Sequence, residues 1–175
     1  MKRLIHVAVI ALFLVAIGYI GDSYQYISFE QYGLLLGAIV VMILLFGLWR
    51  RQRLLHSSFK TIDQMSGERF EEYLMVQFKK KGFRVRLTPI SGDFGADLIM
   101  KRRRKHYVVQ AKRYSGAVGI KAVQEVIGAM QYYDIPNGMV VTNSYYTKAA
   151  RQLAEASQVE LWDRRDIEEE FHIPR

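Results

Sequence analysis

Two long runs without a formal charge open the chain, residues 4–20 and 33–49. At about 1.5 Å per residue each is roughly 25 Å long, near the ~30 Å hydrocarbon thickness of a bilayer. Tyr19, Tyr32 and Trp49 stand at their ends, where aromatic rings favour the interface. The pattern predicts two transmembrane helices. Beyond Met65 it becomes that of a water-soluble domain. Phe70, Tyr73, Leu74 and Phe78 recur at helical spacing behind Ser66, with Met65 and Phe70 set as a hydrophobic staple and Gly82 ending the run. This predicts a helix over 67–81. Phe83, Val85 and Leu87 alternate with Arg84 and Arg86 as in a half-buried strand, and residues 96–100 and 106–113 are two further strands. Ile120, Val123, Val126, Ile127 and Met130 mark a helix within 118–133, and a turn at Pro136-Asn137-Gly138 separates it from a buried strand over 139–142. A helix over 146–157, an edge strand over 159–162 and a helical turn over 165–171 complete the chain. The predicted class is α/β: an antiparallel three-strand meander continued by parallel crossovers, a mixed β-sheet flanked by helices.

Charge sharpens the division. The chain has 175 residues, half of them apolar and 24% charged, with a net charge of +8. In residues 1–49 the formal charges are Lys2, Arg3, Asp22 and Glu30, which cancel, so the whole excess lies beyond Trp49. The segment between the spans carries acidic charge alone, whereas the outer flanks carry Lys2 and Arg3 and then Arg50, Arg51 and Arg53. The positive-inside rule puts both ends in the cytoplasm. The expected organisation is a two-helix transmembrane hairpin over 1–50, a basic juxtamembrane linker over 51–60 and a soluble domain over 61–175, held at the cell membrane with the lipid bilayer as a partner. A basic start before an apolar run also fits a cleaved signal peptide, but the second span would then leave the basic domain on the side its Arg flank opposes. Gly33 and Gly37 form a GxxxG, read as small residues in lipid.

The absence of cysteine excludes disulfides, thiolate catalysis and Cys-ligated metal, and His6, His56, His106 and His172 are scattered singly. Any metal chemistry must therefore use oxygen ligands. The informative stretch is 90–114. Asp97 follows a glycine turn, Gly92 to Gly95, at the start of a strand, and Gln110 and Lys112 are two apart on the next, so they share a face while Ala111 turns away. A hairpin would bring Asp97 beside that pair. One carboxylate, one amide oxygen and a backbone carbonyl can hold a hard cation such as Mg²⁺, with Mn²⁺ as a substitute. Lys112 could then orient an attacking water or stabilise charge on a phosphorane-like transition state.

These residues resemble the Mrr-like restriction endonucleases of the PD-(D/E)xK nuclease superfamily. The resemblance runs from about Met65 to Trp162, through Phe70-Glu71, Gly82-Phe83, Gly92-Asp93-x-Gly95-x-Asp97, Gln110-x-Lys112-Arg113-Tyr114 and Val140-Val141-Thr142. It implies a restriction-endonuclease-like fold and a metal-dependent deoxyribonuclease of type IV restriction character, acting on DNA. Carried across residue by residue, Asp97, Gln110 and Lys112 form the catalytic centre, Asp97 and Gln110 bind metal, and Glu71 assists. Gln110 stands where the wider superfamily uses an acid, which leaves the site one negative charge poorer.

Asp93 is read as a turn-forming residue and His106 as a surface residue. The run Lys101, Arg102, Arg103, Arg104 and Lys105 is read as a hairpin tip beside the site that attracts the DNA backbone, with Arg113 as a further phosphate or packing neighbour. Alternatives from other classes are a nuclease fold kept as a DNA-binding module without turnover, and a membrane scaffold. A second copy of the chain stays open as a partner.

Overall fold

The computed structural model describes residues 28–89 and 94–173. The first predicted span, residues 4–20, and the turn residues Ile90, Ser91, Gly92 and Asp93 lie outside these. Two compact units divide between Arg50 and Arg51.

The described part of the first unit lies in α1, Phe29–Leu55, whose 27 residues extend about 40 Å and whose last five belong to the second unit. Among the described residues it is the one helix long and apolar enough to cross a membrane, where the sequence predicts two. Its large apolar side chains, including Leu34, Met42, Phe46 and Trp49, are exposed. Residues 51–55, read above as the start of a linker, are helical. The physical reason is composition, because Arg, Gln and Leu are all good helix formers and nothing in that run breaks the ladder. A four-residue helix follows, α2, Phe59–Ile62.

In the second unit α3, Gly67–Lys80, starts at Ser66, whose hydroxyl accepts from the Arg69 N–H at 3.2 Å. Three strands come next: β1, Arg84–Leu87; β2, Leu98–Arg102; and β3, Lys105–Lys112. They are antiparallel neighbours, with Arg84 opposite Lys101, Leu87 opposite Leu98, and Leu98 opposite Val109. The expected five-residue basic tip is shorter, since Lys101, Arg102 and Lys105 belong to the strands and only Arg103 and Arg104 turn. Arg103 takes the left-handed conformation that a tight turn requires.

The crossover α4, Ile120–Tyr133, leads to β4, Asn137–Thr142, parallel to β3; α5, Lys148–Ala156, leads to β5, Glu160–Trp162, parallel to β4 at the sheet edge. The terminal helical turn is a full two-turn helix, α6, Arg164–Phe171, closed by a capping box between Asp163 and Asp166. The sheet order is therefore β1-β2-β3-β4-β5. One face packs Phe70, Tyr73, Leu74 and Phe78 of α3 and Ile167 and Phe171 of α6 against Val109, Ala111 and Val141. The other packs Val123, Val126 and Ala129 of α4 and Ala150 and Ala154 of α5 against Val108 and Val140. Alternation along β3 thus sends odd-numbered side chains to α3 and even-numbered ones to α4.

Tyr146 ties the last two strands together. Its buried hydroxyl lies 2.8 Å from the Val140 carbonyl oxygen and 3.2 Å from that of Trp162. Burial, reinforced by Asp163 and Asp166, pushes its ionisation far up, so it stays a donor. Tyr146→Phe is expected to cost about 1 kcal/mol and lower the thermal midpoint by roughly 3–4 °C in a circular dichroism melt.

Candidate active site

Asp97 sits where β1, β2 and β3 converge. Its backbone N–H donates to the Val109 oxygen at 2.9 Å, and its own carbonyl accepts from the Thr88 N–H at 3.0 Å. The Thr88 hydroxyl donates to the Ala96 and Asp97 carbonyls. Where the β2–β3 ladder would next need an acceptor, the Asp97 side chain supplies it, because Oδ2 takes the Ala111 N–H at 2.7 Å. The same oxygen accepts from Gln110 Nε2. The carboxylate is thus held by backbone on one side and an amide on the other.

Gln110 is buried, and its Oε1 has no hydrogen-bond partner. A buried amide oxygen without a donor is costly unless something else uses it. Two residues on, Lys112 faces α4, where its Nζ lies 2.8 Å from Glu125 Oε2, both side chains being about one-third exposed. Glu125 is the functional residue that the sequence reading misses. A glutamate on an amphipathic helix reads as a solvated position, and only the seating of α4 on β3 aims it at Lys112. Lys121 adds a weaker contact to Glu125 at 4.0 Å.

Gly95 explains that seating. Its φ is +87°, and a Cβ there would fall 2.5 Å from the Glu125 carbonyl oxygen. The turn before Asp97 therefore rests on the backbone of Glu125, and one close approach registers both the acid and the partner of the lysine.

Two cavities of about 300 Å³ share Tyr114, and Lys112 lines one of them. One runs between Lys112, Ala117 and Glu125. The other is polar, lined by Asp63, Arg113, Ser115, Asn143 and Arg164. In it Arg164 contacts both carboxylate oxygens of Asp63, at 2.9 and 3.0 Å, and stacks 4.1 Å from the Phe59 ring. Burial raises the Asp63 ionisation, but hydrogen bonds from Arg164 and Asn143 outweigh it and hold the carboxyl below its usual range. Arg113 Nη1 donates to the Asp63 carbonyl oxygen at 3.1 Å.

The structure thus brings Asp97 and Gln110 into contact, with Lys112 on the same face of β3, while the Arg113 guanidinium turns to the Asp63 carbonyl. Glu71 is half-buried on α3, whose apolar residues pack against the odd-numbered side of β3. The structure also separates the basic tip. Lys101, Arg102, Arg103, Arg104 and Lys105 lie at the closed end of the β2–β3 hairpin, roughly 17 Å along β2 from Asp97 and roughly 23 Å along β3 from Lys112. The tip is therefore not beside the site, because a hairpin's turn and open end are at opposite ends of its strands.

The residues fit a hard cation. Among the described residues no group of three His, Asp or Glu side chains could hold a metal. Asp97 and the unpartnered Gln110 Oε1 are instead a small oxygen set of the kind that suits an ion keeping several waters.

Glu125→Gln is expected to lower the rate of the reaction at this site by roughly 10–100-fold, the usual effect of losing a partner that orients a working group, with little change in substrate affinity. Single-turnover kinetics beside an equilibrium binding titration would separate the two.

Residues 62–171 match the family Mrr_cat, described as restriction endonuclease. No curated protein matches the chain. Among solved structures, one titled "Crystal Structure of Protein of Unknown Function AF1548" is 13% identical, with a TM-score of 0.47, over 54% of this chain and 56% of that one. The chain thus spans about half the length of that structure.

Proposed function

The chain belongs to the Mrr_cat family of restriction endonucleases, and from that premise we propose that it is a membrane-anchored endonuclease that hydrolyses DNA phosphodiester bonds at the cytoplasmic face with Mg²⁺ or Mn²⁺. A nuclease domain implies DNA as substrate, and nucleases of this superfamily generally use divalent metals. The observation that carries the reading is the Asp97 carboxylate clamped between Gln110 and the Ala111 N–H, on the face of β3 that bears Lys112.

Asp97 and Gln110 Oε1 would hold the cation, which when bound polarises a phosphoryl oxygen and lowers the pKa of water. Lys112 orients the attacking water and offsets the negative charge that develops on phosphorus. Glu125 keeps the Lys112 ammonium in place. Arg113, Ser115 and Tyr114 in the adjoining polar cavity hold the neighbouring phosphate. Membrane attachment is supported by the length and exposed apolar surface of α1, whose C-terminal turns carry Arg50, Arg51 and Arg53.

A second reading, a DNA-binding module with weak or no turnover, is favoured by the neutral Gln110 and the small acidic complement of the site. Incubating the full chain in lipid nanodiscs with supercoiled and branched DNA tests both. Cleavage that requires Mg²⁺ or Mn²⁺ and stops on chelation is the expected result. Salt-sensitive binding with no cleavage on any DNA topology would favour the module.

A further inference from the structure

We propose that the closed end of the β2–β3 hairpin is a surface for anionic lipid headgroups rather than for DNA, an inference that rests on the membrane-anchored reading above. This end of the second unit gathers cations from three elements. Lys79 and Lys80 are exposed at the end of α3, Arg84 opens β1 opposite Lys101, and the exposed run from Lys101 to Lys105 spans the end of β2, the Arg103-Arg104 turn and the start of β3. Residues 54 and 55 of the same unit pack beside α3. Leu54 is buried with Phe70 and Phe78, and Gln77 Nε2 donates to the Leu55 carbonyl oxygen at 3.2 Å, one turn before Lys80 and Lys81.

The chemistry of the patch suits a bilayer surface. Phe83 and Tyr107 pack edge to face at 6.3 Å and, with Arg102, Arg103, Arg104 and Lys105, line a cleft of about 660 Å³. The Arg102 guanidinium lies 5.4 Å from the Phe83 ring centre. Aromatic rings beneath a rim of flexible cations match the headgroup zone, where such rings settle and each cation near an anionic leaflet gains favourable energy. A duplex lying across the strand ends at Asp97 and Lys112 would leave this patch at the far end of the sheet. With the patch on the leaflet, the open end of the hairpin faces the cytoplasm, where DNA can reach it.

The chain has no cysteine, so Arg103→Cys supplies a single reporter thiol, and Ser115→Cys supplies one at the opposite end. Each full-length variant would be reconstituted into phosphatidylcholine vesicles with or without phosphatidylglycerol, recovered by flotation, and its reaction with an external maleimide timed. Phosphatidylglycerol should slow the Arg103→Cys thiol by about tenfold or more, raised salt should reverse that, and the Ser115→Cys thiol should be unaffected. Floated protein with equal rates in both vesicles overturns the proposal while leaving the anchor intact. So does protection that appears only when duplex DNA is added. Protein that fails to float overturns the membrane reading and this proposal with it.

Discussion

Asp97→Ala is expected to lower metal-dependent cleavage by at least about 10³-fold, equivalent to ~4 kcal/mol of transition-state stabilisation. The size follows from what one carboxylate does: in the proposed site it would be the acidic ligand beside Gln110 Oε1, and the same oxygen that meets Gln110 also closes the β2–β3 ladder on Ala111. That structural duty complicates the alanine variant. Removing the acceptor leaves the Ala111 N–H unsatisfied, at about 1–3 kcal/mol of stability. Asp97→Asn separates the two roles, because its amide oxygen can still accept from Ala111 while the charge is lost. The Asn variant should melt close to wild type and remain as inactive as the Ala variant. Cleavage by Asp97→Asn within tenfold of wild type would remove Asp97 from the chemistry. Lys112→Ala on the Asp97→Ala background should add little, since the two act on one step.

The second large effect is on the fold. Gly95→Ala is expected to destabilise the second unit by roughly 2–4 kcal/mol, from left-handed strain on an L-residue together with a clash that no rotamer relieves. The atoms opposing the new Cβ are backbone, the Glu125 carbonyl oxygen at 2.5 Å and its carbon at 2.8 Å. Either the glycine turn or α4 has to move, and either motion parts Asp97 from the Lys112–Glu125 pair. A drop of about 6–15 °C in the thermal midpoint, with activity lost even well below the melt, is the expected signature. Gly128, on the same helix with open space around it, is the control. Gly128→Ala should be neutral or stabilise by up to about 1 kcal/mol, because it only improves helix propensity. Equal midpoints for the two variants would show that Gly95 carries no close contact.

The elements were legible where a local period sets them. The staple of Met65 and Phe70 around Ser66, the alternation from Phe83 to Leu87 and the two-residue spacing of Gln110 and Lys112 are all short-range patterns, and the structure follows them to within a few residues. Local composition misleads where a run of charge reads as an end of structure. Arg51 and Arg53 continue α1 and Lys101, Arg102 and Lys105 continue strands, because a charged side chain leaves backbone hydrogen bonding intact and points to solvent. Proximity in the sequence sets the basic tip beside Asp97, whereas about 3.3 Å per residue carries it to the other end of the hairpin.

By itself the sequence determined the α/β order, the separation of an apolar helix from a basic domain, and the sharing of one face by Gln110 and Lys112, since periodicity and strand parity depend on neighbours in the chain. Tertiary structure alone decided that Glu125 meets Lys112. It also decided that Asp63, Asn143 and Arg164 build a polar wall beside Arg113. Those outcomes depend on how helices seat against a sheet. That register comes from close contacts such as Gly95 on Glu125, between residues whose separation in the chain carries no period.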